Sequence, residues 1–515
     1  MAMPDNGAPK TEFSHREVLH ILVGVLMCML MAALDQTVLA TALPAVSADL
    51  HGVQYLSWVV TAYLLASTGA TLIFGKLSDL YGRRVMLEAS IAIFLVASLV
   101  CALAQNMGEL IAARALQGIG GGGLYSMAQA SIADVVSARE RGRYQAYITS
   151  TFGAASIAGP LIGGFCAEYL TWRWAFWINL PIGIVAYFLC HRSLKRVLVK
   201  RLQRPIDYLG AALLLPGVTA AMLVVTLGGT DLDWLSWPIA ALAIAAVVFV
   251  IAFFRREQRA PEALLPPRLF ASTVFRIGVL LNFFINAVMV STLLLLPVFL
   301  QFVKNMPADY SGLMLIIPLI AQMATSVYTG RRVQRTGHYV GLPRLGFLIL
   351  GIAALLLTTL QETTPIWLIE IYVTMIGIGN GLSQAPLWVA VQNSAELRDL
   401  GAVTGSVAFF RALGGAFGAG IVWSVLLMTL DATVAREGHA SYGSALLRGG
   451  RAALAILPAD VRDIVIPALV HGFGHAYMAT AFIAAMAFVT AYFLKEIPLR
   501  TTTTREAKSQ GQAAE

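Results

Sequence analysis

Reading the chain for runs of apolar residues gives fourteen segments long enough to cross a bilayer, separated for the most part by short polar connections. They fall near 19–44, 57–75, 85–105, 109–133, 144–167 and 174–193, then 207–228 and 238–254. A last set lies near 275–302, 311–330, 342–360, 365–391, 400–430 and 472–494. In hydrocarbon the backbone finds hydrogen-bond partners only within a helix or a closed barrel, and these runs have helical length, so the pattern predicts an all-α polytopic membrane protein. The grouping divides it into an N-terminal six-helix bundle over 1–200, two linker helices over 201–270 and a C-terminal six-helix bundle over 271–515. One long outside loop is expected at about 431–470, where apolar residues at helical spacing suit a short surface helix or hairpin.

The pattern also repeats. GKLSDLYG from Gly75 and GRRVQRTG from Gly330 share their glycine spacing, and each closes the second helix of a six-helix set. The run Gly118 to Gly123 in the fourth helix is echoed by Gly377, Gly379 and Gly381 in the twelfth. Two parallel halves with an inserted pair of helices account for both repeats.

Composition removes the soluble classes. Of 515 residues, 58% are hydrophobic and only 12% charged, with a mean hydropathy of +0.74. The first segment is longer than a signal-peptide core and no small-residue cleavage site follows it, so it is expected to stay in the protein. The net charge of +8 sits in short loops on alternate sides, which reports topology and gives no reason to expect nucleic acid as a partner. Lys10, Arg16, Lys76, Arg83, Arg84, Arg139, Arg141 and Arg143 mark the inside, which puts both termini in the cytoplasm. Cys28, Cys101, Cys166 and Cys190 lie in apolar runs without metal or redox spacing and read as small core residues.

Against this background a few polar residues stand out. Asp35, in LDQTVLATALP, lies roughly 22 Å along the first helix counted from His20, within hydrocarbon about 30 Å thick. Its side chain cannot reach either surface, so it must face protein or a wet cavity; ionised, it is costly unless partnered, and its charge state becomes a variable a transport cycle can use. The plainer alternative is a packing aspartate bonded to Ser or Thr. Arg114, followed by Gln117 and the glycine run, puts a buried cation beside a closely packed surface. In the stretch Gly75, Asp79, Gly82, Arg83, Arg84, the first glycine is expected to end the second helix in a tight turn. Asp79 is expected to accept from helix N-termini or arginines. GAASIAGPLIGG, holding Gly153, Gly159, Pro160, Gly163 and Gly164, suits close helix packing with a local bend.

Glu370, about one turn inside the outer surface, reads either as a second proton or cation site or as an interfacial acid. Arg411, near the middle of the thirteenth segment, reads either as a packing cation or as a substrate contact. His471 and His475 share a helix face but have no third ligand nearby, so a wet helix start explains them better than a metal. No cluster of His, Asp and Ser at one depth points to an enzyme.

Taken together, these stretches resemble the major facilitator superfamily. GKLSDLYGRR is similar to its cytoplasmic loop motif, RALQG to its fourth-helix motif and GPLIGG to the fifth-helix motif associated with antiporters. LDQTVLATALP, WRWAFWINLPIG from Trp172 to Gly183 and the count of fourteen spans narrow the resemblance to the EmrB/QacA drug:proton antiporters. The resemblance implies a major facilitator fold in the cell (inner) membrane, exporting small hydrophobic compounds by alternating access. It implies Asp35 as the coupling carboxylate and Arg114 as the cation that tunes it. Partners would be protons, a small-molecule substrate and membrane lipid, with no cofactor beyond the proton gradient and, in some members, a periplasmic adaptor. Two departures are Gln334, where the second loop motif would have an acid, and the forty-residue outside loop. A dedicated exporter of one endogenous product, such as a siderophore or lipid-linked compound, is the competing expectation.

Overall fold

Residues 15–50, 55–136, 138–194, 207–229, 232–260, 263–396, 399–437 and 458–499 are described in the computed structural model, and helix dominates them. Fourteen long helices follow in order: α1 His15–Leu50, α2 Leu56–Tyr81, α3 Arg83–Leu103, α4 Met107–Val135, α5 Ala138–Tyr169, α6 Asn179–Ser193, α7 Tyr208–Leu227 and α8 Trp237–Glu257. The rest are α9 Thr273–Phe302, α10 Ile316–Thr336, α11 Gly341–Leu357, α12 Ile366–Asn393, α13 Leu400–Arg436 and α14 Ala459–Tyr492. Twelve helical segments are long and apolar enough to cross a membrane. The polar, glycine-rich α4 and the 17-residue α11, roughly 26 Å long, complete the expected fourteen.

Several boundaries differ from the hydropathy reading. α2 runs through Gly75 to Tyr81, and the turn into α3 is the single residue Gly82 at φ 95°, a conformation that side chains resist. Gly75 therefore ends nothing. Its missing side chain lets α13 approach: a Cβ there would meet the Gly401 carbonyl oxygen at 2.6 Å. The outside loop is shorter than 431–470 at both ends, because α13 continues to Arg436 and α14 begins at Ala459. Asp431, Arg436, Arg462 and Asp463 cut the hydropathy runs short without breaking the helices that carry them. Of the residues expected to form a surface helix, Val461, Ile464 and Val465 belong instead to the first turns of α14, with Val461 and Val465 buried; the rest fall on 438–457, outside the described residues.

The packing is two-fold in pattern. α4 uses alternate glycines for two neighbours: Gly118 and Gly122 lie on the α2 backbone at Tyr63 and Ser67, and Gly120 lies on α3 at Phe94. α12 does the same, with Gly377 and Gly381 on α10 at Pro318 and Gln322, and Gly379 on α11 at Gly346. Backbones that touch in this way gain dispersion contact that larger side chains would forbid. Between the halves, α2 packs on α13 and α5 packs on α10. α7 and α8 pair with each other, and α7 leans on the α2–α13 seam. Cys28 and Cys190 are free, buried thiols with sulfurs 3.6 Å apart between α1 and α6.

Candidate functional site

A deeply buried pair of opposite charges lies among α1, α3, α4 and α6. Asp35 and Arg114 are each 1% exposed, and Arg114 Nη1 lies 2.5 Å from Asp35 Oδ2. The other carboxylate oxygen accepts from Gln117 Nε2 and from Asn179 Nδ2, both at 2.8 Å. Ser98 Oγ in turn accepts from both amides, at 2.8 and 3.3 Å. The guanidinium donates to Gln117 Oε1 at 2.5 Å and to the Val59 carbonyl at 3.3 Å, and it lies 4.4 Å from the centroid of the Tyr63 ring. A dry ion pair repays its desolvation only with such additional donors and acceptors. Asp35 is thus bonded to no Ser or Thr among the described residues and is shielded from water; its carboxyl group is held by one guanidinium and two amides.

At the end of the bundle that carries both termini, Asp79 accepts from the backbone N–H groups of Gly401 and Ala402, at 3.1 and 3.0 Å. These amides open α13, so the carboxylate caps a helix of the opposite half and meets its positive dipole end. Arg83 joins Asp79 at 2.8 Å to Asp134 at 2.7 Å and also donates to Ser78. Arg84 pairs instead with Glu88 at 2.6 Å. Gly82 fixes the turn that aims Arg83 back at Asp79.

The α5 stripe packs on α1 beside the acid. A Cβ at Gly159 would collide with Thr37, and one at Gly163 with Thr41 and the Val38 carbonyl, while Thr37 Oγ1 donates to Ala155 O at 3.0 Å. Gly153 faces Met323 of α10 across the seam between halves. Gly164 does not share this role, since nothing lies within 4 Å of its Cβ position. Pro160 lies inside α5 on an exposed face.

In the C-terminal half the two singled-out charges, Glu370 and Arg411, do not pair with each other. Both oxygens of Glu370 are buried and have no hydrogen-bond partner among the described residues. The partner of the Arg411 guanidinium among the described residues is Gln384, whose amide oxygen, in the orientation the cation dictates, accepts from Nη1 and Nη2. Asp35 with Arg114 and Asp79 with Arg83 are brought together; Glu370 and Arg411 are not. His471 and His475 stack edge-to-face at 4.4 Å, exposed and three turns inside α14, which corrects the expected helix start. Among the described residues no group of three metal-ligating side chains forms.

The family model described as Major Facilitator Superfamily matches residues 25–206 and 208–419. The chain belongs to the major facilitator superfamily. Among curated superfamily relatives, the multidrug transporter protein MdtP of Bacillus subtilis is 36% identical over 79% of this chain and 75% of its own. Multidrug resistance protein 3 of the same organism is 30% identical over 94% and 96%. An uncharacterised MFS-type transporter of Mycobacterium tuberculosis is 36% identical over 93% and 70%. Among solved structures, the proton:xylose symporter XylE superposes with a TM-score of 0.65 at 15% identity, covering 97% of this chain and all of that one. That likeness concerns the fold. The chain is a multi-span membrane transporter of this superfamily, and the fourteen helices and multidrug-named relatives agree with the EmrB/QacA resemblance.

For this facilitator, sequence reasoning missed Asn179, Ser98 and Tyr63 around Asp35, Asp134 beside Arg83, and the amides Gln322, Asn380 and Gln384. A signal was present for Asn179. It is a strongly polar side chain in the otherwise apolar WAFWINLPIG, and a buried amide in a membrane helix needs a partner.

Proposed function

We propose that the chain is a proton-coupled exporter of small hydrophobic compounds, with Asp35 as the group that exchanges a proton against substrate. The observation that carries this reading is the closed Asp35–Arg114–Gln117–Asn179 circuit at 1% exposure. Such a carboxylate can take a proton only if Arg114 and the amides let go, so protonation and helix rearrangement are one event. The names of the bacterial multidrug relatives support small hydrophobic substrates. On this reading 1–200 and 271–515 move as two bundles, with 201–270 as the linker pair. The protein lies in the cell (inner) membrane with both termini in the cytoplasm, and the end held shut by Asp79 and the start of α13 is the cytoplasmic one. Opening to the cytoplasm then requires the Gly401 and Ala402 amides to leave Asp79.

The test is efflux from proteoliposomes carrying an imposed pH gradient, screened over lipophilic cations, neutral antibiotics and siderophores. The expected result is substrate movement that follows the gradient, collapses with a protonophore and is lost in Asp35→Asn. Movement at the same rate without a gradient would overturn the reading.

A further inference from the structure

Arg411 lies roughly 16 Å along α13 from its start, at mid-membrane depth, and the partner of its guanidinium is a neutral amide. No carboxylate pairs with it among the described residues. Glu370 cannot serve: it sits fourteen positions from Gln384 on α12, roughly 21 Å along the axis. The backbone that carries Arg411 is also held in place. Asn286 Nδ2 of α9 donates to the Arg411 carbonyl at 2.9 Å, and Gly414, Gly415 and Gly418 seat the next turn of α13 against α9. Gln384 occupies two of the five guanidinium N–H groups and leaves the rest of the fork to a visitor.

Next to this cation is a cleft between α9, α10 and α12. Its wall is apolar, formed by residues such as Met289, Leu293 and Leu319, and its polar lining includes Gln322 and Asn380. Gln322 Nε2 donates to Asn380 Oδ1 at 3.0 Å, and Gln322 also lies beside Gln384. The amides therefore run from the cleft to the guanidinium. A mid-membrane cation with no acid is costly, and an anion entering this cleft would neutralise it while burying an apolar body.

We propose that Arg411, with Gln384, Gln322 and Asn380, forms a substrate subsite for an apolar molecule carrying one ionised acidic group, a carboxylate or an enolate. The proposal rests on the exporter reading, and its test is made at equilibrium with no gradient, so that failure of one does not count as failure of the other. Binding of pyrene-1-butyrate and of its neutral methyl ester to the full chain in lipid nanodiscs is followed by fluorescence at pH 7.5. The wild type is expected to bind the acid about tenfold more tightly than the ester, the order of one charge-assisted hydrogen bond. Arg411→Gln removes that preference, and its melting midpoint reports that the variant is folded. Arg411→Lys, which keeps the charge without the fork, retains part of the preference. Equal binding of acid and ester by the wild type would overturn the proposal. So would an undiminished preference in Arg411→Gln or, should that variant not fold, in Arg411→Lys.

Discussion

The two halves share a helix plan and differ in how they treat charge. In the N-terminal half, Asp35 and Arg114 complete each other, and Gln117, Asn179, Ser98 and Val59 take up further bonds. In the C-terminal half, Glu370 has no partner for either oxygen among the described residues, and Arg411 has an amide. The same asymmetry appears at the termini end. Asp79 of the first half caps α13, while the matching position of the second half, four residues after Gly330, is Gln334. One half is an internally balanced circuit, which on the exporter reading would have to change when it opens. The other is left unbalanced, which suits a region completed by something that arrives and leaves.

The largest expected effect tests the balanced half. Asp35→Asn keeps the shape but removes the charge that Arg114 answers, and gradient-driven export should fall at least about a hundredfold, the scale of 2.7 kcal/mol or more. Size-exclusion profiles and helix content should stay those of the wild type. Full gradient-driven export by this variant would mean that the circuit holds helices together and does not couple.

Removing the cation should do comparable harm by another route. Arg114→Gln leaves the carboxylate with amides only, at a cost of about 3–5 kcal/mol. The variant should melt well below the wild type, and its export-versus-pH profile should move to higher pH, since a proton no longer has a fixed positive charge to displace. Arg114→Lys should be milder. An unchanged or acid-shifted profile in the Gln variant would reduce Arg114 to packing. Asn179→Ala removes one hydrogen bond to the carboxylate, worth about 1.5–3 kcal/mol, and should shift the profile less than Arg114→Gln.

The termini-end contact gives an intermediate effect. Asp79→Ala strips α13 of its cap, at a cost of about 0.5–2 kcal/mol. It should raise cysteine-probe access at that end of the seam while substrate affinity in detergent stays within about twofold, well under 1 kcal/mol. A large affinity loss with normal access would place Asp79 at the substrate instead. The smallest effect is predicted where the comparison says nothing is balanced: Glu370→Gln breaks no bond, so its melting midpoint should match or exceed the wild type's, whereas a drop like that of Arg114→Gln would reveal a hidden partner.

Much of this was legible in the sequence, and the failures have physical causes. The fourteen helices follow from apolar length, and the repeat follows from glycine spacing, because both depend on residues near in sequence. Asp35 and Arg114 could be singled out because a charge inside an apolar run is costly wherever it points, and Asp79 by its place in the GKLSDLYGRR stretch. Beyond the Asp35–Arg114 pairing that the resemblance implies, their partners could not be. That Asn179 reaches Asp35, 144 positions away, or that Asp79 caps Gly401, 322 positions away, is set by helix packing and leaves no local pattern. Gly75 was misread for the same reason: a glycine that ends a helix and one that admits a neighbouring backbone look alike until the neighbour is placed.

The central claim is that substrate and proton compete through Asp35, and proton release on substrate binding tests it most directly. Purified protein is titrated with a transported compound in weakly buffered detergent containing a pH indicator, for the wild type, Asp35→Asn and Glu370→Gln. The account predicts release from the wild type and from Glu370→Gln, and none from Asp35→Asn. Release of equal size from Asp35→Asn would contradict it.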